Sequence, residues 1–570
     1  MQWFRVGFAN LLWFCYATVQ ARKWKHAARN VAGTQQRVLK RILARNADCM
    51  FGQEHKFALL QTVEAYQQRV PLRSYEAFEP YIQRIAEGQP ALLTTEPVQR
   101  FGRTSGSTQT SKLIPYTNAL VNEFQEGIDP WVHYLFRHFP RLLPGKTYWS
   151  VTPVGENKSH SMGGIPIGFD DEQAYFSPLT RWVLRSLMIA PSQLAQLGDI
   201  DTFRYVTLRL LLQEKSLSWI SIWNPSFFTL LIAPLQERFS TLTEDIRRGT
   251  LAVEEQIDAP LRAAIRTCCR RQPGRANELQ RLYARWQSRP FTEPDRAGRT
   301  FYEVVWPNLR LISCWAHGNA AYALPHLQTC FPHATIQPKG LLATEAFVSF
   351  PWQGEASALS LLSHFFEFEE VNTATPTLKL AHELQAGRVY SVIVTTGGGF
   401  YRYRLNDLIE VMGFYHHCPL IRFKERQAKV VDLCGEKLHE DYVHAVVTSV
   451  FAKHALQTVF WMIAPEWTED ERPHYTLFIQ VDAQTLVDTQ ELEGVVDKIE
   501  KALQASYHYE YARRLGQLAR CRLFLIDSAS DAAHTYLSVC TGLGQRLGDV
   551  KPTALHPYQG WSRQFAGQFI

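Results

Sequence analysis

The sequence predicts an α/β fold, with a large N-terminal domain of mixed sheets and helices and a small α+β C-terminal domain. Three observations lead there. Residues 121–300 carry apolar positions mainly at helical spacing. From about residue 309, short β-branched or alternating runs bounded by Gly, Pro and Asn take over. After Arg426 a smaller unit alternates strand and helix patterns. The break is placed at 424–430, giving domains over 1–425 and 426–570.

Taken in order, Val6–Val19 is largely apolar, with Arg5 before it and Arg22, Lys23 and Lys25 after. It is shorter than the ~20 residues of a membrane span, is interrupted by Asn10, and is flanked by tryptophans. A helix packed on the body or lying at an interface is expected rather than a signal sequence. Thr34–Cys49 reads as a helix, with Val38, Leu39, Ile42 and Leu43 on one face and Thr34 as N-cap. Arg37 stands where a capping box needs Glu or Gln. Trp182, Val183, Leu187 and Met188 recur helically, as do Leu208, Leu211 and Leu212, and Leu279, Leu282 and Tyr283. Interleaved aromatics such as Trp131, Trp219 and Phe228 are core, or else line a pocket for an apolar acid. Leu309–Trp315, Val389–Thr396 and Leu408–Phe414 read as strands. In the smaller unit Val430–Leu433, Tyr475–Val481 and Arg522–Ile526 are strands, and helices are expected around Val443–Val450 and over Leu492–Leu503.

The chain has 570 residues, 46% hydrophobic and 20% charged, which excludes wholesale disorder and fibrous classes. Sixty basic against 54 acidic residues give a net charge of +6. That mild excess does not argue for nucleic acid, but it suits a small anionic substrate. Ten cysteines without a C-x-x-C pair fit free thiols in a reducing cytoplasm.

Four segments carry chemistry. Thr104-Ser105-Gly106-Ser107-Thr108-Gln109-Thr110-Ser111-Lys112 has six hydroxyl residues in nine. Its backbone N–H and hydroxyl groups can cradle phosphate oxygens, with Lys112 as a point charge; a polar turn is the alternative. It is not a Walker A loop, because Lys112 follows Ser111 and precedes Leu113. Thr344-Glu345 follows a strand at Thr335–Gln337. A strand-end carboxylate can hold Mg²⁺ together with phosphate oxygens, or is simply exposed. Gly397-Gly398-Gly399 permits a sharp backbone path or a close ligand approach, and leads through Tyr401-Arg402-Tyr403-Arg404 to Asp407. Asp407 offers acceptors for two ribose hydroxyls; a hairpin with a charged outer face is the alternative. Gly542-Leu543-Gly544-Gln545-Arg546-Leu547-Gly548 misses the dinucleotide fingerprint by one residue, and no βαβ unit follows. What remains is a Gly-rich loop presenting Lys551.

Together with Val70-Pro71-Leu72-Arg73, Trp223-Asn224-Pro225-Ser226, Trp306-Pro307-Asn308-Leu309 and Gly435-Glu436-Lys437-Leu438, these segments stand in an order that resembles the auxin-responsive acyl acid–amido synthetase family, in its bacterial branch, within the adenylate-forming superfamily. The resemblance spans nearly the whole chain. It implies an adenylate-forming N-terminal domain with the ATP and acyl acid site, and a mobile C-terminal lid. Thr104, Ser105, Gly106, Ser107, Thr108 and Lys112 match the ATP phosphate loop. Thr344 and Glu345 match the pair in which Glu binds Mg²⁺. Asp407 matches the ribose-binding aspartate, and Arg426 the hinge arginine that reaches the ribose. Lys551 matches the lid lysine that bridges carboxylate and α-phosphate. Gln109 and Thr110 replace a second loop Gly, Asn406 stands where Gly is common, and His317 replaces a usual acid.

The implied reaction activates a carboxylic acid with ATP and Mg²⁺ to an acyl-adenylate, then transfers the acyl group to an amino acid amine. A thioester ligase using coenzyme A, or a non-catalytic carboxylate-binding protein on this fold, stays open as an alternative. The implied partners are small molecules. No nucleic acid and no obligate protein partner is expected, and membrane contact is expected only through the N-terminal helix.

Overall fold

The computed structural model describes the chain outside residues 1, 104–111, 151–158, 169–177, 318–320, 322–323, 372–376, 427–429, 432, 434–435, 437, 468–472, 483–488, 515–517, 544 and 546–549. For 2–4, 103, 159, 178–181, 226, 425–426, 430, 489, 507–508, 511 and 514 it describes backbone alone. The chain is mixed α/β and divides into two units, Met1–Thr104 with Lys112–Glu425, and Arg426–Ile570.

The first unit contains a parallel sheet in the order Lys146–Trp149, Leu217–Ser221, Leu311–Cys314, Thr335–Pro338. Leu217–Ser221 and Leu311–Cys314 are buried at every position. Leu217–Ser221 carries two buried serines and follows the helix Ile200–Gln213 after three residues, so its pattern merges with the helical one before it. A seven-stranded sheet spans Ser349–Arg426, and Tyr403–Tyr415 is central to it, between Val389–Thr395 and Cys418–Arg426. One hydrophobic core joins the N-terminal helices, the helix Asn118–His138 and this sheet.

The N-terminal helix runs Gln2–Ala27 and is docked by buried Trp13 and Trp24. The next helix is Val31–Arg45, not Thr34–Cys49. Its N-cap is Asn30, whose side chain accepts from the Gly33 N–H; Thr34 lies inside, buried, with its hydroxyl accepting from Arg37. Asn is as good a cap as Thr, and it stands one residue before the first helical turn. Cys49 instead caps the short helix Met50–Glu54, accepting from the Gly52 N–H. The predicted face of Val38, Leu39, Ile42 and Leu43 is buried.

The second unit is built on the sheet Phe460–Trp467, Pro473–Gln480, Arg522–Ile526, Gly567–Phe569. Alternate residues supply two cores: Ile463, Leu477, Ile479 and Leu523 enter one, and Met462, Ala464, Phe478 and Phe524 the other. Helices Glu440–Lys453 and Thr489–Leu503 cover the first face, and Ala532–Gly542 the second. Of the strand expected over Val430–Leu433, the described part is Val430–Val431, and residue 432 lies outside the described residues.

Candidate active site

Ligands of open parallel sheets gather outside the carboxyl ends of the strands, where chain segments diverge. Here those ends run into Trp223, Trp315 and Lys339–Glu345. The Trp315 N–H donates to the Trp223 carbonyl at 2.8 Å, and their rings lie 5.6 Å apart. Lys339 is buried; its Nζ donates to Ser221 Oγ at 2.8 Å and to the Ile222 carbonyl at 3.0 Å, and sits 4.3 Å from the Trp223 ring centre. Sequence reasoning passed over Lys339. Its one local signal is its place just after an apolar strand. Burial holds the nearby His317 below the usual imidazole value, with Arg422 acting in the same direction and Glu355 against it.

Thr344 and Glu345 form the tip of a tight turn. Ala343 and Ala346 exchange N–H···O bonds of 3.0 and 3.3 Å, and Leu342 bridges Phe347. Gly340 opens this segment at φ +78°, with Ser349 so close that a β-carbon would stand 2.6 Å from its carbonyl oxygen. Only glycine fits both conditions. The Tyr116 hydroxyl donates to the Thr344 carbonyl at 2.6 Å, and the Tyr403 hydroxyl to Glu345 Oε1 at 3.2 Å. Glu345 is buried, so its carboxylate is held rather than trailing in solvent. The exposed strand-end alternative is thereby set aside.

Tyr403 and Asp407 lie on the same strand. Ile393 pairs with Arg404 and Ser391 with Leu408, so residues 405–407 face Val392 alone. Two extra residues preserve the side-chain alternation: Tyr403, Asp407 and Ile409 all point to the buried face. Asn406 takes the tight step at φ +60°, a conformation that Asn tolerates better than most residues. Asp407 is 8% exposed.

Lys112 borders the same region through Tyr75. Its Nζ lies 4.9 Å from the Tyr75 ring centre and 3.8 Å from Glu76 Oε1. Burial first, then the charges of Glu79, Glu345 and Glu76, push the Tyr75 hydroxyl up to about 12. It therefore stays protonated and donates to the Leu113 carbonyl at 3.2 Å. Thr104, Ser105, Gly106, Ser107 and Thr108 lie outside the described residues.

The glycine run serves packing. The Gly397 N–H meets both Glu123 oxygens, at 3.0 and 2.9 Å, and a β-carbon there would stand 2.4 Å from Oε1. The close approach is therefore to the helix Asn118–His138. Arg402 is no outer-face charge. It is buried at φ +50°, forms a two-pronged pair with Glu367 at 2.9 Å and 2.9 Å, and donates to the carbonyls of Gln67 and Val70. Arg404 pairs with Glu369 at 2.8 Å.

In the second unit Lys551 is exposed on a fixed backbone. The Tyr536 hydroxyl donates to its carbonyl at 2.8 Å. Two residues on, the Thr553 hydroxyl and the Ala554 N–H both donate to Glu440 Oε1. Arg426 ends the strand Cys418–Arg426, and its side chain is outside the description. Among the described residues no three His, Cys, Asp or Glu side chains cluster to hold a metal. Mg²⁺ commonly takes one or two carboxylates plus phosphate oxygens, and Glu345 as a single hard-oxygen donor fits that mode.

Comparison with known proteins follows the same layout. The GH3 family N-terminal domain profile matches residues 20–336, the central domain 357–426 and the C-terminal domain 441–552. The indole-3-acetic acid-amido synthetase GH3.10 of Arabidopsis thaliana is 23% identical, over 92% of this chain and 93% of its own length. The indole-3-acetic acid-amido synthetase GH3.8 of Oryza sativa subsp. indica is 24% identical, over 84% and 81%. Among solved structures, a GH3.15 acyl acid amido synthetase superposes with a TM-score of 0.75 at 20% identity, covering 96% of both chains. The same enzyme in complex with 2,4-DB gives 0.77 at 20% identity, covering 95% of this chain and 94% of that one. Since one profile alone covers more than half of its length and the other two follow in order, the chain belongs to the GH3 family.

Proposed function

We propose that this chain is an ATP-dependent acyl acid–amido synthetase. It converts a small carboxylic acid to an acyl-adenylate with release of pyrophosphate, then passes the acyl group to the amine of an amino acid with release of AMP. The observation that carries the reading is the Tyr403–Glu345 hydrogen bond, on the strand face that also bears Asp407, in a chain of the GH3 family. It ties a metal-type carboxylate to a ribose-type carboxylate where parallel strands end. The names of the curated relatives as amido synthetases support an amine acceptor.

A carboxylate cannot expel oxide, so its oxygen must first be made part of a good leaving group. Attack on the α-phosphate achieves this and gathers negative charge on phosphate oxygens. Lys112 and Lys551 are assigned to that charge, with Thr104, Ser105, Gly106, Ser107 and Thr108 as donors to the outer phosphates. Asp407 accepts from the ribose hydroxyls, and Arg426 supports the ribose at the hinge. Glu345 and the Thr344 turn would hold Mg²⁺, which neutralises phosphate charge when bound. Residues 1–425 carry the ATP and acyl acid site, and 426–570 act as a lid that brings Lys551 in for adenylation and withdraws it for amide formation.

The test is a screen of carboxylic acids for pyrophosphate release with ATP and Mg²⁺, with and without amino acids. Release that an amino acid stimulates, with an amide product, is the expected result. Release that requires coenzyme A, or no release with any acid, rejects the assignment.

A further inference from the structure

The helix Gln2–Ala27 is apolar on two opposite faces. Its inner face buries Val6, Ala9, Trp13, Ala17, Ala21 and Trp24. Two side chains fasten it: Asn10 Nδ2 donates to the Leu143 and Gly145 carbonyls at 2.7 and 3.1 Å, and Trp24 Nε1 to the Leu359 carbonyl at 3.0 Å. The helix is therefore held against the body along most of its length. Its outer face is also apolar. Phe8, Leu11 and Val19 are 56%, 50% and 51% exposed, and Cys15 and Tyr16 are exposed beside them. Phe8, Leu11, Cys15 and Val19 follow at steps of three, four and four residues, which makes one continuous stripe. Folding of the chain does not require this stripe to be apolar. An exposed contiguous apolar face is the mark of an interaction surface.

Charge indicates what covers it. Arg5 stands at one end of the stripe, and Arg22 and Lys23 at the other, all exposed. The first 47 residues hold nine Lys or Arg and no Asp or Glu, against a net charge of +6 for the whole chain, so the remaining residues are net acidic. Four of the nine, Arg5, Arg22, Lys23 and Lys25, are on the helix itself, which carries no acid; of those beyond it, Arg41 and Arg45 are paired with Glu126 and Glu96. A second copy of the chain is a poor occupant. Antiparallel pairing of two stripes sets Arg5 against Arg22 and Lys23, and parallel pairing sets each against itself, with no acidic residue on the helix to relieve either. A cation-bracketed apolar stripe matches the boundary between anionic headgroups and acyl chains. No described helix is long and apolar enough to cross a membrane, so this one would lie along the surface.

We propose that the outer face of Gln2–Ala27 docks the protein on anionic phospholipid bilayers, with Phe8, Leu11 and Val19 entering the interface and Arg5, Arg22 and Lys23 meeting lipid phosphates. The test is flotation of the full chain with vesicles of phosphatidylcholine alone or containing about one third phosphatidylserine. Binding to the anionic vesicles is expected, falling as salt is raised. The variant carrying Phe8→Ser, Leu11→Ser and Val19→Ser should bind them about tenfold more weakly or worse. The pair Arg22→Glu and Lys23→Glu should weaken binding similarly. These positions are exposed, so the thermal midpoint and the pyrophosphate-release activity should stay at the wild-type level. Absence of binding to anionic vesicles, or equal binding by the serine variant, overturns the proposal. A dimer seen by light scattering that the serine variant abolishes also overturns it, and assigns the stripe to a second copy.

Discussion

His364 Nδ1 stands 2.9 Å from Glu123 Oε2, with both side chains buried, while the opposite ring nitrogen takes the Phe347 N–H at 3.0 Å. Accepting at Nε2 leaves Nδ1 as the N–H, so the ring donates to Glu123 as a neutral imidazole. Glu123 also receives the Gly397 N–H. One carboxylate and one imidazole therefore tie the helix Asn118–His138 to the glycine turn and to the segment two residues past Glu345.

His364→Leu fills the space but leaves the Phe347 N–H without its acceptor and takes one of its donors from buried Glu123, which keeps the Gly397 N–H. The first unit should lose roughly 2–4 kcal/mol, from about 1–3 for the orphaned N–H and about 1.5 for the hydrogen bond taken from the carboxylate. Urea unfolding followed by fluorescence checks this. A loss below about 0.5 kcal/mol would show that the pair is dispensable.

Asp407→Ala should raise the Michaelis constant for ATP and spare folding. Charge-assisted hydrogen bonds of about 1.5–3 kcal/mol each, partly compensated by water, predict roughly 2–4 kcal/mol in kcat/KM. Steady-state kinetics with varied ATP decide. Unchanged ATP dependence in a folded variant would sink the ribose assignment.

Glu345→Gln keeps the shape and removes a hard-oxygen charge, so turnover should fall and require more Mg²⁺. Tyr403→Phe should shift the Mg²⁺ requirement in the same direction by less, since it only frees the carboxylate to move. A Mg²⁺ titration identical to wild type for Glu345→Gln rejects the metal role.

Lys551→Ala should depress acyl-adenylate formation by on the order of 10²–10³, the loss of one preorganised electrostatic donor. A supplied acyl-adenylate should still react with the amine at nearly the wild-type rate, because the charge that develops as a carboxylate attacks phosphorus is absent from that step. Equal losses in both half-reactions would make Lys551 a structural residue and end the lid proposal.

Asp129 tests the packing beneath the N-terminal helix. Burial raises its carboxyl from 3.8 to about 7, despite the hydrogen bond from Gln125 at 2.6 Å. A carboxyl raised on folding binds its proton more tightly in the native state. Its contribution is therefore fully present below about pH 4 and is lost as pH rises through about 7. Asp129→Asn should gain on the order of 2 kcal/mol at pH 8 and little at pH 4. Thermal midpoints of both proteins across that range provide the check. Parallel curves would mean that Asp129 is ionised in the native protein.

The local order of residues was enough to reveal the elements whose signal is local. The strands at Arg522–Ile526 and Leu311–Cys314 announce themselves by β-branched or apolar runs between turn residues. Glu345 and Asp407 stand out in short segments, but each segment alone leaves a plain surface reading open, and the roles proposed for them come from the resemblance to a family. Where two caps of similar strength stand close together the local reading slips, as at the second helix, where Thr34 reads as the cap and Asn30 serves. Leu217–Ser221 was missed for another reason: it follows the helical run that ends at Gln213 after only three residues, and its serines interrupt the apolar run by which a buried strand is known.

Tertiary structure alone decided which groups meet. Glu123 and His364 are 241 positions apart, Tyr403 and Glu345 58, and Lys339 reaches Ser221 across 118. No local propensity encodes such pairings, because they arise only when sheets and helices stack and every buried donor must find an acceptor. Likewise the sequence determined that the N-terminal helix is apolar and cationic, but its packing decided which half of that surface is spent on the core and which half faces outward. One sequence pattern supports either face, and only the neighbours that cover Trp13 and Trp24 leave Phe8, Leu11 and Val19 in solvent.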